Sequence, residues 1–409
     1  MLALSVSDCD HVQNVKACKA SSNYIKNNVD FNRSNSEPIE LMEPIELIEA
    51  TETSSERSET SATTIEDVVV NERLRIREEM KCFEYPRWPN QSVRHLEDFT
   101  LETGGIPIRS IVIAKSRSGS TFFGDLLNSV PGTFYTYEPL FILHGKPILN
   151  ENDPKAPMAV SHVKKILQCD FSGRDMKIYL NDGKRLPFFF KHNTRIWRLS
   201  EEYPQFFWTP SFQTSICRLF PMQSMKIVQL PLSIFGKLLD DLNVRIVFLI
   251  RDPRGMLNSR KPLKWCHDGF PHCSDPSTVC QDIVADYYAA ELFRNKYPDR
   301  FRVVRYEDLC LNPYEMSMEI LHFYGLPSMH SKVQEFLESH TKIDMGDAYS
   351  THRNTKSTPY HWITDLSYEE IDAIQSVCTD AMALWGYQMA TNVSILSGNF
   401  DPVLPFSLP

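Results

Sequence analysis

The chain has 409 residues, room for one large domain or two ordinary ones, and 42% of them are apolar, ample for a core. Its 43 basic against 52 acidic residues leave a net charge of −9, which argues against a nucleic-acid partner unless a basic cleft is local. No run approaches the roughly 18 apolar residues of a membrane-spanning helix, and the opening MLALSVSDCDHVQN is too short in apolar length for a signal peptide. Ten cysteines leave the redox compartment open. Residues 1–84 read as a disordered, stem-like leader with a duplicated EPIEL (37–41, 43–47), a Ser/Thr/Glu tract at 51–64 and a short helical pattern at 66–80. The repeat is either plain stem or a partner-binding motif. Residues 85–392 read as the folded domain and 393–409 as an irregular tail. Asn32, Asn90 and Asn392 each open an N-x-S sequon, a pattern that also arises by chance.

The stretch from 108 to 140 organises the rest. Ile111-Val112-Ile113 is an apolar β-branched run suited to a buried parallel strand. The polar turn Lys115-Ser116-Arg117-Ser118-Gly119-Ser120-Thr121 follows, and Phe122, Phe123, Leu126 and Leu127 then recur at helical spacing. Strand, small polar loop and helix form a phosphate cradle, with backbone N–H groups and a helix N-terminus facing the anion. It resembles a Walker A loop with two departures: Ala114 stands at the first glycine, and Ser120 replaces the lysine that reaches the β/γ-phosphates. The loop cation is Arg117. The pattern suits another doubly anionic nucleotide better than ATP.

Residues 133–137 read as a second strand, ending at Glu138-Pro139. The span 145–225 is uneven, with a helix at 159–169 and an aromatic strand at 188–190 before Lys191-His192. A strand at 225–230 carries Lys226, and Pro231 opens a helix to 242. The run 244–250 (VRIVFLI) is the most strand-like in the chain. It stops at Arg251-Asp252-Pro253-Arg254 and passes into a helix carrying Ser259. A helix at 279–296, a strand at 301–306 and helices at 313–324 and 367–385 follow. The alternation predicts an α/β, P-loop-like three-layer fold with a central parallel sheet, its ligands at the carboxyl ends of the strands.

R-D-P-R-x4-S is the second chemical feature. An arginine fork and a serine hydroxyl roughly two turns apart suit a phosphate monoester. Alone, RDPR is as readily a surface turn; beside an anion loop on the same sheet it reads as a second phosphate grip. The segments SRSGSTFFGDLLNSVPGTFYTYEPL and VRIVFLIRDPRGMLNSR are similar to the two nucleotide-binding signatures of sulfotransferases. The nearer resemblance is to the Golgi carbohydrate 6-O-sulfotransferases acting on galactose, N-acetylglucosamine or N-acetylgalactosamine. It extends through RYEDLCLNPYEMSMEILHFYGLP, YSTHRN with Trp362, and IQSVCTDAMALWGY, over about residues 105–390.

The resemblance implies 3′-phosphoadenosine 5′-phosphosulfate (PAPS) as donor, a glycan or glycosaminoglycan acceptor, and a Golgi-lumen location. Ser116, Arg117, Ser118, Gly119, Ser120, Thr121 and Phe122 would hold the 5′-phosphosulfate, with Arg117 neutralising charge on the bridging oxygen. Arg251 and Ser259 would hold the 3′-phosphate, Arg353 would lie in a late basic loop, and Lys226 would sit near the leaving group. Glu138 is the candidate base, with His192 its rival and Glu307 and Asp308 braces of the nucleotide loops. HDGFPHC (residues 267–273) lacks a second ligand pair, so no metal is expected. Cys266, Cys273 and Cys280 cluster, with Cys217, Cys310 and Cys378 as further partners, and the resemblance favours Cys280 with Cys378. The family's signal anchor is not seen in this sequence, which keeps a cytosolic-type alcohol sulfotransferase open, alongside an inactive PAPS-binding scaffold and a nucleotide kinase.

Overall fold

The β-branched run around Ile111 becomes the centre of the molecule. The computed structural model describes residues 63–81, 83–85, 94–143, 148, 152–228, 230–267, 271–326, 329–345, 350–396, 398 and 400–408. Five parallel strands form one sheet in the order β2-β3-β1-β4-β5: β1 (Ile108–Ala114), β2 (Thr133–Tyr137), β3 (Met222–Val228), β4 (Val244–Ile250) and β5 (Phe301–Arg305). Ile111 to Ala114 and Ile246 to Ile250 are fully buried, as apolar strands covered on both faces should be. The chain leaves β1 towards β2 and leaves β3 towards β4, so the direction of winding reverses beside β1. A crevice at the strand ends follows from that reversal.

Helix α2 (Ser120–Ser129) leaves the β1 loop, and Phe122, Phe123, Leu126 and Leu127 are its core face. After β4, α3 (Pro253–Arg260) starts with proline in its first turn and Asp252 as N-cap, the carboxylate accepting from Arg254 N at 2.9 Å. The long helix α4 (Pro276–Lys296) covers the β4–β5 side. Between β2 and β3 the chain makes a helical insert, with Ala156–Leu167 and Gly173–Arg185 the longest pieces. Cys169–Cys217 closes this insert, Cys266–Cys273 closes the loop after α3, and Cys280–Cys378 ties α4 to the C-terminal helices. The pairing of Cys280 with Cys378 is the one favoured above, whereas Cys169 had been overlooked as the partner of Cys217. Cys310 is a buried thiol, and no group of metal-ligating side chains occurs among the described residues.

Four expectations need correction. The leader's residues 1–62 lie outside the described residues, but its end does not behave as a stem. Helix α1 (Ile65–Glu79) is capped reciprocally by Thr64 and Asp67 and buries Val68, Glu72 and Ile76, so the compact unit runs Thr64–Pro409 and not from residue 85. The tail expected from 393 opens with a helical turn, Asn392–Leu396, and then returns to the body: Tyr387 bridges Val403, and Arg305 Nη1 donates to Leu404 O at 2.7 Å. The aromatic strand at 188–190 is the helical turn Phe188–Lys191. The single helix expected at 367–385 is two, Tyr368–Val377 and Thr379–Trp385, broken at the disulfide-bonded Cys378. Among the described residues no helix is long and apolar enough to cross a membrane.

Candidate active site

The β1–α2 loop bends through two left-handed residues, Arg117 (φ +68°) and Gly119 (φ +81°), which curl its backbone into a cup at the start of α2. At Gly119 a Cβ would lie 2.3 Å from the ring of Tyr306, so the close approach of loop and ring requires glycine. Arg260 grips the loop from behind, its Nε and Nη2 donating to Ser116 O at 3.1 and 2.7 Å. Lys115 is pinned by Asp286, 2.9 Å away. Neither Arg260 nor Tyr306 was singled out from sequence; Arg260 adjoins Ser259, and that adjacency was the available signal.

The second cradle stands at the end of β4. Arg251 lies with its guanidinium carbon 4.5 Å from the Tyr306 ring centre, and its Nη1 donates to Arg117 O at 2.9 Å. Arg251 Nε is buried and has no hydrogen-bond acceptor among the described residues. Arg117 Nε donates to Ser259 Oγ at 3.0 Å, joining the two loops. Three arginines therefore converge. Burial, then the charges of Arg117 and Arg251, push the Arg260 guanidinium down to about 9. Such a cluster, with an orphaned buried donor and a backbone cup beside it, fits a dianionic phosphate.

Glu307 braces this turn, accepting from Asp252 N at 3.0 Å and from the Tyr387 hydroxyl at 2.9 Å. Asp308 does not; it pairs with Arg305 at 2.8 Å. Burial, then the charge of Asp252, pushes the Glu307 carboxyl up to about 7. The fold thus favours its neutral form. That contribution is complete below the ordinary value of 4.5 and is lost as pH rises through about 7. Glu307→Gln should therefore lose less stability between pH 5 and pH 8 than the parent, by up to roughly 3 kcal/mol, in denaturant unfolding at the two pH values. Equal losses in both proteins would show that Glu307 is ionised throughout.

At the other end of the crevice β2 delivers Glu138. In register, Tyr137 pairs with Lys226 on β3, and Glu138 N donates to Lys226 O at 2.9 Å. Glu138 itself takes φ +44°, uncommon for a residue with a side chain, and turns its carboxylate onto Lys226 Nζ at 2.5 Å. Lys226 Nζ also donates to Thr121 Oγ1 at 3.2 Å and lies 4.1 Å from the Tyr137 ring centre. Burial pushes this ammonium down, but Glu138 and Tyr137 outweigh it and hold its pKa above the ordinary lysine value. The pair is a protonated lysine beside a carboxylate, with the Lys226 side chain buried and that of Glu138 20% exposed.

One cavity of about 920 Å³ is lined by Ser116, Arg117, Gly119, Ser120, Thr121 and Phe122, and equally by Glu138, Lys226, Arg251, Ser259 and Arg353. Arg353 Nη1 donates to Met345 O and His352 O at its rim. Ser118 is the exception: fully buried, its hydroxyl donates to Met256 Sδ at 3.5 Å, so it faces the core and not the anion. Arg117 reaches Ser259 in the second cradle, and Lys226 stands beside Thr121. His192 borders the same cavity, its ring stacked on Tyr137 at 3.7 Å and its Nδ1 3.7 Å from Asp125.

The sulfotransferase domain model matches residues 107–386. Rat carbohydrate sulfotransferase 1 is 27% identical over 69% of this chain and 80% of its own length, and carbohydrate sulfotransferase 3 of Tetronarce californica is 25% identical over 72% and 76%. Among solved structures, the sulfotransferase domain of the Synechococcus PCC 7002 olefin synthase aligns at a TM-score of 0.39 and 17% identity, over 73% of this chain and 95% of that one. The family match spans both cradles, the Glu138–Lys226 pair and the brace at Glu307: the chain belongs to the sulfotransferase family, with carbohydrate sulfotransferases as its relatives.

Proposed function

We propose that this enzyme moves the sulfuryl group of PAPS to a sugar hydroxyl of a glycan, at the 6-position, in the Golgi lumen. The observation that carries the reading is the convergence of Arg117, Arg251 and Ser259 on one side of the cavity that holds Glu138 and Lys226 on the other. A donor with phosphates at both ends has a charge for each cradle. The 6-position is the reading of the sequence resemblance, and the disulfides support an oxidising compartment.

In this mechanism the cup formed by Ser116 to Phe122 holds the 5′ end through backbone N–H groups and the hydroxyls of Ser120 and Thr121. Arg251 and Ser259 hold the 3′-phosphate. Glu138 takes the proton of the acceptor hydroxyl as that oxygen bonds to sulfur and the bond from sulfur to the bridging phosphate oxygen breaks. Lys226, beside Thr121, supplies the positive charge that the departing oxygen requires. PAPS itself brings an activated sulfuryl group, so positioning and charge are what the protein contributes.

Transfer of labelled sulfate from PAPS to a glycan panel tests the activity, and thermal shifts with adenosine 3′,5′-bisphosphate and with ATP test the donor. Stabilisation by ATP alone would reject the reading. Ser259→Ala with Arg251→Ala should weaken adenosine 3′,5′-bisphosphate by about 100-fold or more, two charge-assisted contacts being removed, and leave AMP binding nearly unchanged. Equal losses for both nucleotides would place the 3′-phosphate elsewhere.

A further inference from the structure

Resting on that reading, we infer that the acceptor is an uncharged pyranose received on an aromatic wall, and that polyanionic glycosaminoglycans are poor substrates. The half of the cavity around Glu138 is lined by Tyr137, Phe141, Phe188, Phe189 and His192. These rings are mutually fixed: Phe141 stacks on Phe189 at 4.4 Å, and Tyr137 on His192 at 3.7 Å. Phe188 stands edge-on to both Tyr137 and His192, at 5.7 and 5.1 Å, yet its side chain is 53% exposed. A large apolar ring held firmly and left open at a cavity mouth is a platform for the C–H face of a sugar.

Charge supports the same conclusion. Basic side chains that line the cavity outside the donor cradles already face carboxylates: Lys226 faces Glu138, Lys261 faces Glu370 and the His272 ring faces Asp282, at 2.5, 2.5 and 2.9 Å. A chain carrying a carboxylate on every disaccharide would have to compete for these, and would meet apolar rings beside Glu138.

The test compares an N-acetylglucosamine-terminated neutral oligosaccharide with chondroitin as acceptors for labelled sulfate from PAPS. The neutral acceptor should show the higher kcat/KM by at least tenfold. Phe188→Ala should raise its KM about tenfold with kcat and the thermal shift by adenosine 3′,5′-bisphosphate unchanged, and Phe188→Tyr should restore KM. Chondroitin used equally or better, or a Phe188→Ala enzyme with the parental KM, would overturn the inference. So would a protein that binds adenosine 3′,5′-bisphosphate but transfers to neither acceptor. Failure to bind adenosine 3′,5′-bisphosphate at all would instead overturn the donor assignment, and this inference with it.

Discussion

Glu138→Gln is expected to reduce sulfate transfer by about 10²–10⁴-fold while leaving the affinity for adenosine 3′,5′-bisphosphate unchanged. The amide keeps the size and the acceptor oxygen of the carboxylate but cannot take a proton. Glu138 follows β2 and Arg251 follows β4, with β3 and β1 between them, so binding of adenosine 3′,5′-bisphosphate is the control. A second readout follows from Lys226. With the carboxylate gone, burial acts on the ammonium with less opposition, and the lysine pKa should fall. The pH profile of residual transfer should then lose its alkaline plateau at lower pH than in the parent. Transfer rates equal to the parent's would remove Glu138 from the reaction and leave His192, on the same wall, as the base. A variant that keeps nucleotide binding and biological output without transfer would point to a scaffold.

The second large effect is expected at a residue with no side chain. Gly119→Ala should weaken donor binding by about 10- to 100-fold, because overpacking against Tyr306 costs about 1–3 kcal/mol at the donor site itself. The new methyl would fall 2.3 Å from two ring carbons of Tyr306, and that ring underlies the Arg251 guanidinium at 4.5 Å. Yielding of the ring displaces Arg251, so one methyl in the 5′ cup damages the 3′ grip too. Gly104 provides the control. It has the same φ of +81° with nothing within 4 Å of a Cβ, so Gly104→Ala carries the backbone strain alone. Its donor affinity should match the parent's. Isothermal titration with adenosine 3′,5′-bisphosphate distinguishes the two variants, and equal affinities for both would show that the Tyr306 contact is unimportant.

Much of this was legible because the sheet is buried on both faces. Val244 to Ile250 has no position for a polar side chain except Arg245, and such a run has few alternatives to a central strand. The polar loops at the ends of β1 and β4 stood out against that background. What failed was information held by distant neighbours. Phenylalanine favours strands, so residues 188–190 read as one, yet they form a turn of helix whose rings pack on Tyr137 and Phe141. Ser118 looks like any loop hydroxyl until Met256, 138 residues away, closes over it. Nothing near Arg117 in the sequence reveals Ser259, 142 residues on, as its partner. Helix α1 is mostly charged, and its few apolar positions gain significance only from the groove that receives them.

The brace behind the 3′ grip has a consequence for how the enzyme is made. Asp252 is held by Glu307, Glu307 by Tyr387, and the helices that carry Tyr387 into place are anchored to Cys280 through Cys378. Each link joins residues tens of positions apart, so synthesis must run past residue 387 before the donor pocket can close. Ribosome-bound chains that have displayed every strand of the sheet would still be without nucleotide affinity. A product truncated ahead of Cys378 would leave Cys280 without its disulfide partner and the C-terminal helices untied from α4.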